Sequence, residues 1–147
     1  MNRALHPLEP LAGEWEVEIR WSPKTHALVG GPPAVRSRNR FEWIENGRFL
    51  VLRQGGDDGP PQATLAMGRD DGGEEYCVLY ADARGVSRVY RMSFHDRIWR
   101  MWRDAPGFSQ RFEGRLSDDG RTLEAHWDKS IDGHTWERDF DLTYTRS

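Results

Sequence analysis

The stretch Gly13-Glu14-Trp15-Glu16-Val17-Glu18-Ile19-Arg20-Trp21 alternates without a break. Trp15, Val17, Ile19 and Trp21 fall on one side and Glu14, Glu16, Glu18 and Arg20 on the other, because successive side chains of an extended chain point to opposite faces. A helix would need apolar residues three and four apart, and here they are two apart. The segment is a strand with one face in a core and one in water.

The same period of two recurs at 35–44, 48–54, 62–69, 75–82, 86–94, 97–103, 108–117, 121–129 and 135–146. Between these segments stand Asn46-Gly47, Asp58-Gly59, Asp71-Gly72, Arg84-Gly85, Pro106-Gly107, Asp119-Gly120 and Asp132-Gly133, dipeptides suited to tight hairpin turns. About ten short strands joined by tight turns describe an all-β, up-and-down antiparallel arrangement, and closing it into a barrel removes its exposed edges. Pro7 and Pro10 around Leu8 leave room for a short helical turn before the first strand, placed to cover one end. Residues 22–33, with Pro23, Gly30, Gly31, Pro32 and Pro33, read as a long first loop. A barrel of this many strands is wide enough to hold a small molecule.

Composition narrows the class further. The chain has 147 residues, long enough for one domain, 1–147, with one core. Lys and Arg total 21 and Asp and Glu 24, a spread-out net charge of −3 that argues against a nucleic-acid partner. Seven Trp, four Tyr and six Phe argue against disorder despite a mean hydropathy of −0.82. The single cysteine, Cys77, excludes an internal disulfide and fits a reducing compartment, so the cytoplasm is expected. No apolar run has the length of a signal or a membrane span, and no membrane partner is expected. Cys77 has Glu74 and Glu75 nearby, which raise a thiol pKa and argue against a nucleophile.

Leu11-Ala12-Gly13-Glu14-Trp15 at the first strand and Tyr144-Thr145-Arg146 at the last resemble the calycin superfamily of lipocalins, fatty-acid-binding proteins and nitrobindin-like barrels. Gly13, Trp15 and Arg146 match its signature. Ser22-Pro23 and Phe41-Glu42-Trp43-Ile44-Glu45-Asn46-Gly47-Arg48-Phe49-Leu50 resemble a group of bacterial lipocalin-like proteins more closely. The resemblance implies that Trp15 closes the barrel base, with Arg146 packed over it as a cation–π plug. These are residues of the fold rather than of a site.

Candidate site residues are polar groups on apolar parity. Arg138 shares a face with Trp136, Phe140, Leu142 and Tyr144, and a guanidinium facing inward requires a partner such as a ligand carboxylate. The competing reading is a rim arginine paired with Glu124 or Asp128. Arg88 and Tyr90 lie among Val86, Met92 and Phe94, and resemble in residue type the Arg and Tyr that hold the carboxylate in fatty-acid-binding proteins. Gln110 and Asn39 are polar residues on inner faces, where they can bind a ligand or satisfy each other. Parity within 97–103 is ambiguous, since Trp99 and Trp102 compete for the interior.

Two functional readings follow. The first is a binding protein for a small hydrophobic or amphipathic, partly anionic molecule, held by Arg138, Arg88, Tyr90, Gln110, Asn39 and Tyr80. The second is an enzyme of cyclase, isomerase or decarboxylase type, for which Tyr80, Tyr90 or Glu42 would supply the acid or base. A third follows from the nitrobindin resemblance, in which a late histidine, His126 or His134, ligates haem. His126 shares parity with Glu124 and Asp128, facing solvent, which weighs against it, and no cofactor is expected. No metal site, Walker loop or nucleophile elbow occurs, and the Asp-Asp-Gly triplets are turns rather than calcium loops. Monomer and homodimer are both compatible with the pattern.

Overall fold

The computed structural model describes residues 3–55 and 62–147. Ten antiparallel strands, β1 (Gly13–Trp21), β2 (Ala34–Ile44), β3 (Phe49–Gln54), β4 (Ala63–Arg69), β5 (Tyr76–Asp82), β6 (Ser87–His95), β7 (Ile98–Arg103), β8 (Ser109–Leu116), β9 (Thr122–Ser130) and β10 (Glu137–Arg146), form a closed barrel. Each pairs with its neighbours in sequence, and β1 closes the ring on β10 from Trp15 opposite Arg146 to Trp21 opposite Phe140. The outer face of β1 and β2 carries the charges read from the sequence, with Glu16 bonded to Arg38 at 2.9 Å and Glu18 facing Arg36 at 3.5 Å.

One end of the barrel, the base, is sealed. Residues Arg3–Leu11 form a 3₁₀ helix, longer than the short turn expected. With three residues per turn, Leu5, Leu8 and Leu11 stack on one side and are buried. The Trp15 indole donates to the Leu11 carbonyl at 3.0 Å. The Arg146 guanidinium lies 4.0 Å over the Trp15 ring and donates to the carbonyls of Ala12 and Pro10, each at 2.6 Å. Gly13 makes this possible: its φ is +115°, and a Cβ there would sit 2.9 Å from Arg146 Nη1. Above the plug, Trp99 packs edge-on to Phe41, Phe112 and Tyr144. Its indole N–H is buried without a partner among the described residues.

Three local readings are corrected. Residues 22–33 contain a helix, α1 (Pro23–Val29), because Ser22 caps it by accepting from Thr25 N and Pro23 occupies its first turn, so the breakers frame the helix rather than interrupt it. Glu45–Gly47 forms a single 3₁₀ turn between β2 and β3. The β6–β7 hairpin turns at Asp96 and Arg97, both with positive φ and neither a glycine, so β6 runs to His95, one residue past the expected 86–94. The Asp58-Gly59 turn lies outside the described residues.

Candidate ligand cavity

The other end, the mouth, encloses a cavity of about 390 Å³, within the roughly 300–1,000 Å³ of small-molecule pockets. Five of the six residues singled out in the sequence line it: Asn39 from β2, Tyr80 from β5, Arg88 and Tyr90 from β6, and Gln110 from β8. Leu65, Phe108, Trp127, Phe140 and Leu142 provide much of its apolar wall.

Arg138 is the exception. β10 carries a bulge: Arg138 faces Asp128 and Phe140 faces Trp127, leaving Asp139 as the extra residue. The bulge breaks the period of two, so Arg138 stands exposed on the outer wall, bonded to Asp128 at 2.8 Å and to Asp141. Trp136 is likewise covered from outside by the Arg111 guanidinium, 3.9 Å from its ring. Asp139 lines the cavity instead, anchored by the Thr25 hydroxyl of α1 at 2.8 Å and by Lys129 at 3.3 Å. Its backbone carbonyl also accepts from Ser22 N. These contacts across the helix and the strand hold the extra residue in place.

Asn39 and Gln110 do not satisfy each other. Gln110 Oε1 accepts from the Tyr90 hydroxyl at 2.7 Å, while Asn39 Nδ2 donates to the Tyr144 hydroxyl at 3.3 Å and its Oδ1 accepts from Ser37. Tyr80 donates to Asp82 at 2.7 Å, and Asp82 accepts from Arg84 at 2.6 Å. The Arg84 hydrogen bond holds the Asp82 carboxyl well below the usual range. Burial, aided by that carboxylate, pushes the Tyr80 phenol up to about 12. Burial raises Tyr90 too, against the opposing influence of Arg88. Both phenols are therefore proton donors near neutrality.

Charge is distributed unevenly here. Arg84 is paired with Asp82 and Asp139 with Lys129. Arg88 lies over the rings of Tyr80 and Phe108, at 5.9 and 5.3 Å, with no carboxylate at ion-pair distance among the described residues.

The remaining candidates lie elsewhere. Glu42, considered as an interior acid, is on the outer wall bonded to Arg40 and Arg53. His126 faces outward near Asp128, 3.7 Å away, and His134 is exposed; neither lines the cavity. Cys77 is exposed on the outer face. Among the described residues no group of three potential metal ligands occurs, and no helix is long and apolar enough to cross a membrane. Sequence reasoning missed Asp139, Arg84, Gln54 and Arg103. Arg103 shares parity with the buried Trp99 and Met101, the side of β7 that the sequence left undecided.

The fold is a closed ten-stranded antiparallel barrel with an interior cavity at one end. No family model matches the chain, and no curated protein does. Among solved structures it is similar to Rv2717c from M. tuberculosis, at 16% sequence identity over 100% of this chain and 99% of that one, with a TM-score of 0.67. That likeness is one of fold.

Proposed function

We propose that the barrel binds a small, partly apolar, anionic molecule in its mouth cavity. The observation that carries this reading is convergence: five polar residues from four strands meet in one aromatic-walled space, and the one guanidinium among them has no carboxylate at ion-pair distance among the described residues. An arginine near apolar surface is stabilised by a counter-charge, and a ligand acid supplies it. The lone cysteine favours the reducing cytoplasm as the place where this happens.

The test is to fill the cavity. Neutral N-phenylnaphthylamine should bind the wild type saturably with enhanced fluorescence. Ile19→Trp, which projects a ring into the space, should lower that affinity about tenfold while leaving the thermal melt nearly unchanged. Equal affinity in the two proteins would show that the probe sits elsewhere and overturn the reading.

A further inference from the structure

A groove on the outer wall of the barrel meets the interior cavity at Arg88. β6 pairs with β5 from Met92 back to Ser87, but its pairing with β7 stops at Arg91 opposite Trp102, and β7 ends one residue later. Residues 87–89 and 104–106 border this slot of about 640 Å³, whose lining includes Arg88 and Arg103 together with Leu79 and Val89, both exposed on the outer face. Arg88 lines this slot and the interior cavity alike.

Arg103 is the second cation here. Continuing the β6–β7 register sets it across from Tyr90, and its charge and that of Arg88 both act on the Tyr90 phenol. No carboxylate among the described residues stands at ion-pair distance from Arg103 either. Of the other charges at the slot, Arg91 is paired with Glu75 at 2.6 Å and Asp104 is exposed on the outer rim. Two guanidiniums lining one groove repel each other, and an anion between them reverses that cost. Their planar forks suit a carboxylate or sulfonate.

We propose that the acid group of an amphipathic anion sits in this side slot, bridged by Arg88 and Arg103, with its apolar body running inward past Tyr90 and Phe108 into the cavity. The assignment rests on the cavity reading above and adds where the head lies: at the rim between the start of β6 and the end of β7, beside rather than among the already paired Arg84 and Asp139.

Two probes with a shared skeleton test it on the full chain: anionic anilinonaphthalene sulfonate and neutral N-phenylnaphthylamine. Arg88→Gln and Arg103→Gln should each weaken the sulfonate about tenfold or more and shift the neutral probe less than about threefold. Arg36→Gln, on the outer wall of β2 where Arg36 faces Glu18, should change neither. Should Arg103→Gln fail to fold, Arg103→Lys keeps the charge without the fork and should give an intermediate loss. Sulfonate affinity indifferent to Arg103, or a neutral probe weakened as much as the anionic one, overturns the slot while leaving the cavity reading intact. A wild type that binds neither probe overturns both.

Discussion

At the base, inward positions hold Trp15, Phe41, Trp99, Phe112 and Tyr144 above a cap of Leu5, Leu8 and Leu11, and the Arg146 guanidinium is committed to backbone carbonyls and to the Trp15 face. At the mouth, the same strands present Asn39, Tyr80, Arg88, Tyr90 and Gln110 around open space. β6 shows the change within one strand: Met92 is fully buried toward the base, while Arg88 lines the cavity four residues earlier. Close packing stabilises the fold, whereas a ligand site needs room and polar groups held for something else. The difference teaches that stability in this barrel resides at the base, and that the mouth is free to be under-packed.

The largest effect should come from breaking the base. Trp15→Ala removes a fully buried indole, its bond to Leu11 and the surface on which Arg146 rests. We expect a loss of about 3–5 kcal/mol in urea unfolding. N-phenylnaphthylamine affinity of the fraction that stays folded should remain within about threefold of wild type. A cost below about 1 kcal/mol would put the anchoring of the fold elsewhere.

A smaller effect separates the ends at high pH. Tyr144, buried in the base, is held by desolvation up to about 12, against about 10 for an exposed phenol. A folded-state value above the unfolded one means the native state binds the proton more tightly. The contribution is complete below about pH 10 and is lost as pH rises toward 12. Tyr80 at the mouth follows the same sign. Tyr144→Phe should flatten the alkaline fall of stability by roughly 2–3 kcal/mol over that interval, and Tyr80→Phe should flatten it less, because Tyr80 is the more exposed. Urea titrations at pH 9 to 12 read the slope; a fall undiminished in both variants would assign the alkaline loss to other groups.

What the sequence made legible follows from where the period of two holds. β1 keeps it from end to end, and Trp15 and Val17 are buried as its alternation requires. The same rule brought Asn39, Tyr80, Arg88, Tyr90 and Gln110 to the inside, since each sits in register with apolar neighbours on an unbroken strand. It misplaced Arg138 because one extra residue, Asp139, reverses every side chain before it, and the partners that hold the bulge, Thr25 and Lys129, are distant in sequence or on another strand. Arg103 escaped notice for a different reason. Trp99 and Trp102 gave both faces of β7 equal claim, and only packing against Phe41 and Phe112 from other strands assigns Trp99 to the interior, with Arg103 on its parity at the strand end.

The smallest expected effect is the sharpest probe of the contrast between the ends. Tyr90→Phe removes one hydroxyl, the donor to Gln110, and leaves the ring in edge-on contact with Tyr80 and Trp127. If the mouth were packed like the base, the orphaned Gln110 oxygen would be sealed from water and cost about 1–3 kcal/mol. Gln110 lines an open cavity instead, so water can replace the phenol and the cost should be no more than about 0.5–1 kcal/mol in urea unfolding. Binding should respond in the opposite proportion, because this phenol feels the charges of Arg88 and Arg103, which have no carboxylate at ion-pair distance among the described residues: sulfonate affinity should change more than stability does. A large stability loss with unchanged binding would mean that Tyr90 belongs to the sealed half of the barrel after all.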